Sequence, residues 1–355
     1  MNTLLDLSEL NHKIGQLFMA GIPGTRMDEN TELLIRDYNL SGIILFSRNI
    51  EDPVQLAELC RDIQDTAIKY HGTPLFLAVD QEGGRVARLR KPFTIFPGNE
   101  AIGMDDNPKE RAREFGTITA KEMKIVGLNM NLAPVVDVRR GKPEKHLRGR
   151  TFSEDHKSVA QLGRTVIRAL QENGVMAVAK HFPGLGRTSI DPHSNLPKIE
   201  SDIREIDEIN LPPFKAAIKE RVSAIMTSHA VYPALDPGRS ATLSPYILNS
   251  LLRDNMGFNG LIITDDLEMG AIAKKWGVDK GALASFEAGA DILLVCEEQK
   301  SLLDSIKLIR KKILRKEISD KRLDESNIRI RDAKSKYLQG KEQISIKSVK
   351  RYFRL

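Results

Sequence analysis

The stretch "GVMAVAKHFPG" (174–184) places a short apolar run directly before a lysine and a histidine. A run of about five apolar residues suits a β-strand that is buried on both faces. Similar runs recur along the chain and, with one earlier candidate, make eight, at 16–22, 42–46, 75–79, 131–136, 175–179, 224–228, 261–264 and 292–295. Strands buried on both faces are typical of parallel sheets.

Helix-like stretches lie between these runs. Residues 53–70 open with a proline in the first turn, and residues 158–174 and 244–257 both end on a glycine, a common helix stop. Strands that alternate with helices predict a parallel sheet with crossover helices. Eight such units favour a closed (β/α)8 TIM barrel over an open sheet, so we predict an α/β barrel.

The end of the chain differs in charge from the rest. Residues 300–355 carry 18 basic and 7 acidic residues, a net charge of +11, which leaves −5 for residues 1–299. After the last barrel helix we expect one more helix, as a C-terminal helical extension, and then a basic tail. We therefore predict a barrel domain over residues 1–340 and a tail over 341–355, with no room for a second large domain.

Composition limits the function classes. The chain is 41% apolar and 29% charged, as in a globular protein with a large core. The sequence lacks the alternation of arginines and aromatic residues that is typical of a nucleic-acid groove, and no apolar stretch reaches membrane length. We therefore expect neither nucleic acid nor membrane as a partner. Cys60 and Cys296 are expected to be free thiols, and the start lacks a basic signal region, so we expect a cytoplasmic protein. The oligomeric state stays open, and a monomer is compatible with the sequence.

Ionisable residues follow one predicted strand after another. They are Asp80, Asp137, Lys180 with His181, His229, and Asp265 with Asp266. In a (β/α)8 barrel all carboxyl ends of the strands face one mouth, where active sites are built. A single aspartate there could be only a helix N-cap, but convergence of all of them predicts a site.

Spacing alone leaves three kinds of site open. A carboxylate and a proton donor could cleave a glycosidic bond. His181, His193, His229 and an aspartate could bind a hydrolytic metal, although the sequence lacks a His-Glu-x-x-His motif. The barrel could also bind a sugar or phosphate without turnover.

Five motifs together resemble glycoside hydrolase family 3, and most closely its single-domain β-N-acetylglucosaminidases of bacterial cell-wall recycling. They are "AVDQEGGRVARL" (78–89), "GRTFSED" (149–155), "KHFPG" (180–184), "DPHSNLP" (191–197) and "TDDLEM" (264–269). They occur in the family's order, after the expected strands, and cover most of the chain. The resemblance implies a catalytic TIM barrel.

The resemblance also implies roles for individual residues. Asp265 matches the catalytic nucleophile, and Asp191 with His193 matches an acid/base dyad on a mobile loop. The substrate-binding residues it implies are Asp80, Arg88, Arg150, Lys180 and His181. An aspartate, with a usual pKa of about 3.9, suits an ionised nucleophile, and a histidine, with a usual pKa of about 6.5, suits an acid that later acts as a base.

The "KHFPGLGRTSIDPH" loop (180–193) departs from the family pattern. Leu185, Arg187 and Pro192 stand where the family has histidine, aspartate and serine. The dyad residues remain, so we expect catalysis to be retained while recognition of the leaving group or opening of the loop changes.

The resemblance thus predicts a retaining exo-β-N-acetylglucosaminidase that hydrolyses small N-acetylglucosaminides such as muropeptide fragments. It implies no cofactor and no metal. The alternatives are a family 3 β-glucosidase, a phosphorolytic N-acetylglucosaminidase, or a catalytically silent sugar-binding barrel.

Overall fold

The computed structural model describes residues 7–141, 145–188, 191–338 and 344–355. Within them eight parallel strands close into a barrel in chain order, β1 to β8, with β8 pairing back onto β1. The strands are β1 (Phe18–Gly21), β2 (Gly42–Leu45), β3 (Phe76–Val79), β4 (Met130–Asn131), β5 (Met176–Phe182), β6 (Ala224–Thr227), β7 (Leu261–Asp266) and β8 (Ile292–Val295). The predicted closed α/β barrel is therefore confirmed.

The strands are buried along nearly their whole length, which explains their continuous apolar sequences. The fourth strand is shorter than its apolar run predicts. Pro134 has no N–H to donate to the ladder, and beyond Asn131 the pairing with β5 continues as an isolated bridge between Val135 and Lys180. The backbone N–H of Val136 still donates to the carbonyl of Lys180, so the end of this segment stays beside β5.

Helices surround the barrel. They are α1 (Leu7–Gly15), α2 (Glu29–Tyr38), α3 (Pro53–His71), α4 (Asn99–Gly103), α5 (Pro108–Ile125), α6 (His156–Glu172), α7 (Ile203–Glu205), α8 (Leu211–Lys219), α9 (Gly270–Trp276), α10 (Val278–Ala288), α11 (Gln299–Leu314), α12 (Asp320–Leu338) and α13 (Ile346–Phe353). Two π-helical segments, Ile206–Asn210 and Tyr246–Asn255, complete the ring. The predicted start of α3 is confirmed, because Asp52 caps this helix and Pro53 lies in its first turn.

Two short antiparallel strand pairs and several 3₁₀ turns lie in the loops of the barrel. Antiparallel strand pairs form between Gln81–Gly83 and Val86–Ala87, and between Val231–Tyr232 and Asp236–Ser240. Short 3₁₀ turns are found at Ser47–Asn49, Lys145–Leu147 and Ala241–Leu243. The first strand pair and the second 3₁₀ turn carry residues of the barrel mouth.

The predicted additional helix is α12, which is tied to the amino-terminal end of the barrel. The buried carboxylate of Asp291, just before β8, pairs with Arg253 and with Arg329 of α12. The last helix, α13, packs against α3. The predicted boundary at residues 340 and 341 lies outside the described residues, so the division into a barrel domain and a tail stays a prediction.

Across the described parts of the chain, we find no helix with the length and apolar character needed to span a bilayer.

Candidate active site

The predicted ionisable residues meet at the carboxyl ends of the strands. Asp80 directly follows β3, and Asp265 and Asp266 are the last two residues of β7. Lys180 and His181 lie near the end of β5 and are only 2% and 4% exposed. The strand ends therefore converge on one mouth, as the sequence predicts.

A network of buried charges forms the floor of this mouth. The Nζ atom of Lys180 lies 2.8 Å from Asp80 Oδ1 and 2.7 Å from Glu82 Oε1. Arg150 donates two hydrogen bonds of 2.8 Å to the two carboxylate oxygens of Glu82. We call these four residues the mouth cluster. Its two cations and two anions compensate one another, which a buried charge requires.

The neighbouring opposite charges keep Lys180 and Glu82 ionised. Burial alone would lower the pKa of Lys180, but the carboxylates of Asp80 and Glu82 raise that pKa above its usual value. Burial would likewise raise the pKa of Glu82, and Arg150 and Lys180 instead hold it well below its usual range. Lys180 is therefore a permanent cation with fixed position.

His181 is oriented by a fully buried aspartate. Its Nδ1 lies 2.8 Å from Oδ2 of Asp137, and the other carboxylate oxygen accepts from the backbone N–H groups of His181 and Leu185. A ring nitrogen bonded to a carboxylate carries the proton, which leaves Nε2 of a neutral ring as an acceptor. That Nε2 lies 3.5 Å from Arg150 Nη2.

Arg88 is the outermost of the predicted substrate-binding residues. Its Nη2 lies 3.4 Å from Asp80 Oδ2, and its guanidinium lies over the ring of Phe46 at 5.7 Å. All five predicted substrate-binding residues thus lie in or beside the mouth cluster.

The two adjacent aspartates of β7 have opposite electrostatic environments. Burial would raise the pKa of Asp265, but His181, His229 and Lys180 bring it below its usual value. Burial, with the charges of Glu268 and Asp265, raises the pKa of Asp266 to about 7. Asp265 therefore stays ionised where Asp266 is partly protonated, and only the first suits a nucleophile.

The predicted dyad forms on a more exposed loop. Nδ1 of His193 lies 2.8 Å from Oδ1 of Asp191, which also accepts from the backbone N–H of His193. Burial would raise the pKa of Asp191, but the His193 backbone N–H and ring lower it. The side chain of His193 is 64% exposed, so the dyad stands apart from the buried mouth cluster.

The dyad loop is attached to the helix that follows β7. The backbone N–H groups of Gly270 and Ala271, at the start of α9, donate to the carbonyls of His193 and Pro192 at 3.0 and 3.1 Å. A Cβ on Gly270 would come within 2.8 Å of the carbonyl oxygen of His193, so this contact requires a glycine. The loop of the dyad and the strand of Asp265 are therefore coupled through the start of one helix.

Comparison with known proteins identifies the family. The model of the Glycosyl hydrolase family 3 N terminal domain matches residues 9–333. The chain belongs to glycoside hydrolase family 3. It is therefore a glycoside hydrolase that acts on carbohydrate.

Several relatives of this family 3 chain bear on its function. A protein of Thiobacillus denitrificans named beta-hexosaminidase is 35% identical over 283 residues, which cover 78% of this chain and 77% of the relative. The structure of a family 3 beta-N-acetylglucosaminidase from Paenibacillus has a TM-score of 0.90 and 34% identity, and the match covers 99% of this chain and 68% of that one. NagZ from Neisseria gonorrhoeae has a TM-score of 0.79 and 28% identity, over 96% and 93% of the two chains.

Three further residues of this family 3 site had no role from the resemblance: Glu82 was not predicted, and Asp137 and His229 were predicted only as residues at strand ends. Glu82 stands two residues after Asp80, and the alternation of a strand could have indicated that both face the mouth. Asp137 is recognisable at a strand end, but its bond to His181 depends on two strands that are distant in sequence. His229 donates from Nε2 to the backbone carbonyl of Asp266 and bonds through Nδ1 to the hydroxyl of Thr242.

The substituted positions of the loop have local partners. Leu185 is 3% exposed and packs in the core. Nε of Arg187 lies 3.2 Å from Glu205, which Arg140 also approaches at 3.3 Å. The charge of Arg187 is therefore matched by a neighbouring carboxylate.

Proposed function

We propose that this glycoside hydrolase is a retaining exo-β-N-acetylglucosaminidase that forms a covalent glycosyl-enzyme on Asp265. The observation that carries the proposal is the contrast at the end of β7, where neighbouring cationic and imidazole groups keep Asp265 ionised while Asp266 is pushed towards its neutral form. A retaining mechanism needs one carboxylate that attacks the anomeric carbon in its charged form.

The proposed acid/base is His193, oriented by Asp191. In the first step its imidazolium gives a proton to the leaving oxygen while Asp265 attacks the anomeric carbon. In the second step the neutral ring takes a proton from water, which displaces Asp265 and restores the enzyme. The hydrogen bond from Nδ1 to Asp191 leaves Nε2 for this proton transfer. The exposure of His193 lets it meet leaving groups of different size and solvent water.

The proposed sugar-binding residues are Asp80, Arg88, Arg150, Lys180 and His181. The internal ion pairs of the mouth cluster hold these side chains before substrate arrives, so little conformational entropy is lost on binding. Hydrogen bonds from such charged groups to sugar hydroxyls are worth about 1.5–3 kcal/mol each.

The proposed substrate is a terminal β-linked N-acetylglucosamine, released from small glycosides such as muropeptide fragments. The support is the name of the Thiobacillus relative and that of the Paenibacillus structure. We also propose a cytoplasmic location, because Cys60 and Cys296 are both buried free thiols, as a reducing compartment favours. Cell fractionation followed by antibody detection tests the location.

Hydrolysis of aryl β-N-acetylglucosaminide and aryl β-glucoside tests the function. We expect a higher kcat/KM for the first, and the released sugar should first appear as the β-anomer by NMR. A mechanism-based fluoro-sugar inactivator should label Asp265 and leave Asp266 unlabelled. A label elsewhere, or a first product of α-configuration, would contradict the mechanism, and preference for the glucoside would replace the proposed substrate. Absence of turnover on both sugars would favour a silent sugar-binding barrel.

A further inference from the structure

A buried histidine that the proposed mechanism does not use lies beside the mouth cluster. His146 belongs to the short turn Lys145–Leu147 and is only 6% exposed. Both of its ring nitrogens are buried, and neither has a hydrogen-bond partner among the residues that the structure describes. Buried polar atoms are nearly always paired, so two unpaired nitrogens on one ring need a physical explanation.

His146 adjoins the mouth cluster and lies within electrostatic range of the dyad. Its backbone carbonyl accepts a hydrogen bond of 3.2 Å from Nη1 of Arg150, the arginine that Glu82 holds. Its ring lies near enough to feel the charges of Asp191, His181 and His193 as well as that of Arg150. The charges of both the proposed sugar-binding residues and the proposed acid/base dyad therefore act on the imidazole.

The ring is neutral under ordinary conditions. Burial, against the opposing charge of Asp191, lowers the pKa of His146 to about 4. A neutral imidazole presents one N–H donor and one nitrogen acceptor. Such a ring is matched by a ligand group that is itself neutral and polar.

We propose that His146 is a further substrate-binding residue, whose imidazole forms a hydrogen bond with the acetamido group on C2 of the sugar. This inference rests on the proposed function. The dyad must act on the oxygen attached to C1, and of the two ring atoms bonded to C1 only C2 carries a polar substituent. A polar side chain near both the dyad and the mouth cluster is therefore suited to bind the substituent on C2.

The chemistry of the two groups is complementary. An acetamido group offers a carbonyl acceptor and an N–H donor, and neutral His146 offers a donor and an acceptor. The hydroxyl on C2 of a glucoside is shorter and leaves the buried nitrogens less well paired. A site that hydrogen-bonds one substituent discriminates against a substrate that lacks it. His146 thus contributes to selection of N-acetylglucosaminides over glucosides.

The test compares kcat/KM of the wild type, His146→Ala and His146→Gln on aryl β-N-acetylglucosaminide and aryl β-glucoside. We expect His146→Ala to lower the first value by about tenfold or more and the second by less than about threefold. His146→Gln, which keeps a donor and an acceptor, should retain more of the preference. His71→Ala is the matched control, because His71 bonds to the carbonyl of Ile35 at the far end of the barrel.

The ratio of the two kcat/KM values decides the inference. If His146→Ala lowers kcat/KM equally on both substrates, or leaves their ratio within about twofold of the wild-type ratio, His146 is structural and the inference is overturned. The proposed function is judged separately, by whether the wild type prefers the acetamido sugar. If the wild type turns over neither sugar, calorimetry with free N-acetylglucosamine and glucose replaces kinetics, and His146→Ala should weaken only the first. Should the alanine variant fail to fold, the same ratio for His146→Gln decides, and an unchanged ratio there would overturn the inference.

Discussion

Two buried lysines lie at opposite ends of the barrel and have opposite surroundings. Lys180, at the mouth, is 2% exposed and pairs with Asp80 and Glu82. Lys334, on α12, is 7% exposed, and its Nζ has no hydrogen-bond partner in the described parts of the chain. Its Nζ lies over the ring of Phe76, the first residue of β3, at 5.5 Å from the ring centroid.

The pKa values of the two lysines differ accordingly. Carboxylates outweigh burial at Lys180 and raise its pKa, whereas burial alone lowers the pKa of Lys334 to about 7. Burial of a charge is tolerated at the mouth because compensating charges are built around it. At the other end the same ammonium group is uncompensated and destabilises the fold. The buried lysine at the proposed sugar site thus has two carboxylate partners, whereas the buried lysine on α12 has none in the described parts of the chain.

The largest loss of activity is expected for a change at Asp265, the proposed nucleophile, whose charged form the cations of the mouth stabilise. Asp265→Asn removes the attacking carboxylate and should lower kcat for an aryl N-acetylglucosaminide by about 10³-fold or more. Asp266→Asn is the matched control and should retain substantially more turnover, because the pKa of Asp266 is already raised to about 7. Steady-state kinetics measures both. A greater loss in the Asp266 variant would reverse the assignment.

A second prediction concerns the exposed side of the mouth. His193→Ala should slow cleavage of a natural disaccharide by about 10²–10⁴-fold, because its leaving group needs a proton. An aryl group such as p-nitrophenol leaves without one, so the variant should show a burst of phenol followed by slow turnover. Azide should accelerate the slow phase, since it attacks without a base.

Asp191→Ala serves as the companion of that variant. It leaves the imidazole but removes its carboxylate partner, so we expect a defect of the same kind and not necessarily of the same size. Equal slowing of aryl and natural substrates by His193→Ala, without burst or azide rescue, would show that the proton donor lies elsewhere.

The third prediction tests the paired lysine directly. Lys180→Met removes the cation that Asp80 and Glu82 share, so sugar binding should weaken and kcat/KM should fall by about tenfold or more. The variant should also unfold more easily, because removal of one partner from a buried ion pair costs about 3–5 kcal/mol. Unchanged kinetics with reduced stability would place Lys180 in the scaffold and not in the site.

The sequence predicts which residues lie at the mouth of the barrel, but it does not predict the buried Lys334 at the opposite end. Strand ends are recognisable as polar residues after apolar runs, so the sequence alone is enough to place Asp80, Lys180 and Asp265 at one mouth. The partners that set their electrostatics come from distant segments: Asp137 meets His181 only through packing of neighbouring strands. Nothing in the sequence of α12 distinguishes Lys334 from the exposed lysines around it, because its burial depends on how the helix meets the barrel.

Lys334→Met is expected to have the smallest effect on activity and to increase stability, whereas Lys180→Met should decrease it. The same substitution that damages the mouth should here remove an uncompensated buried amine and fill its space with an apolar chain of similar length. The pKa of Lys334 is about 7 when folded and about 10.4 when unfolded, so at neutral pH the unfolded chain binds more protons and the native state is destabilised. That penalty, of the order of 4–5 kcal/mol, is fully present below about pH 7, shrinks as pH rises through the window from 7 to 10.4, and vanishes above it. Lys334→Met should therefore raise the midpoint of urea unfolding most at pH 6–7 and least at pH 10, with kcat/KM within about twofold of the wild type. A gain that does not change with pH would mean that Lys334 is already compensated, and the contrast between the two buried lysines would then fail.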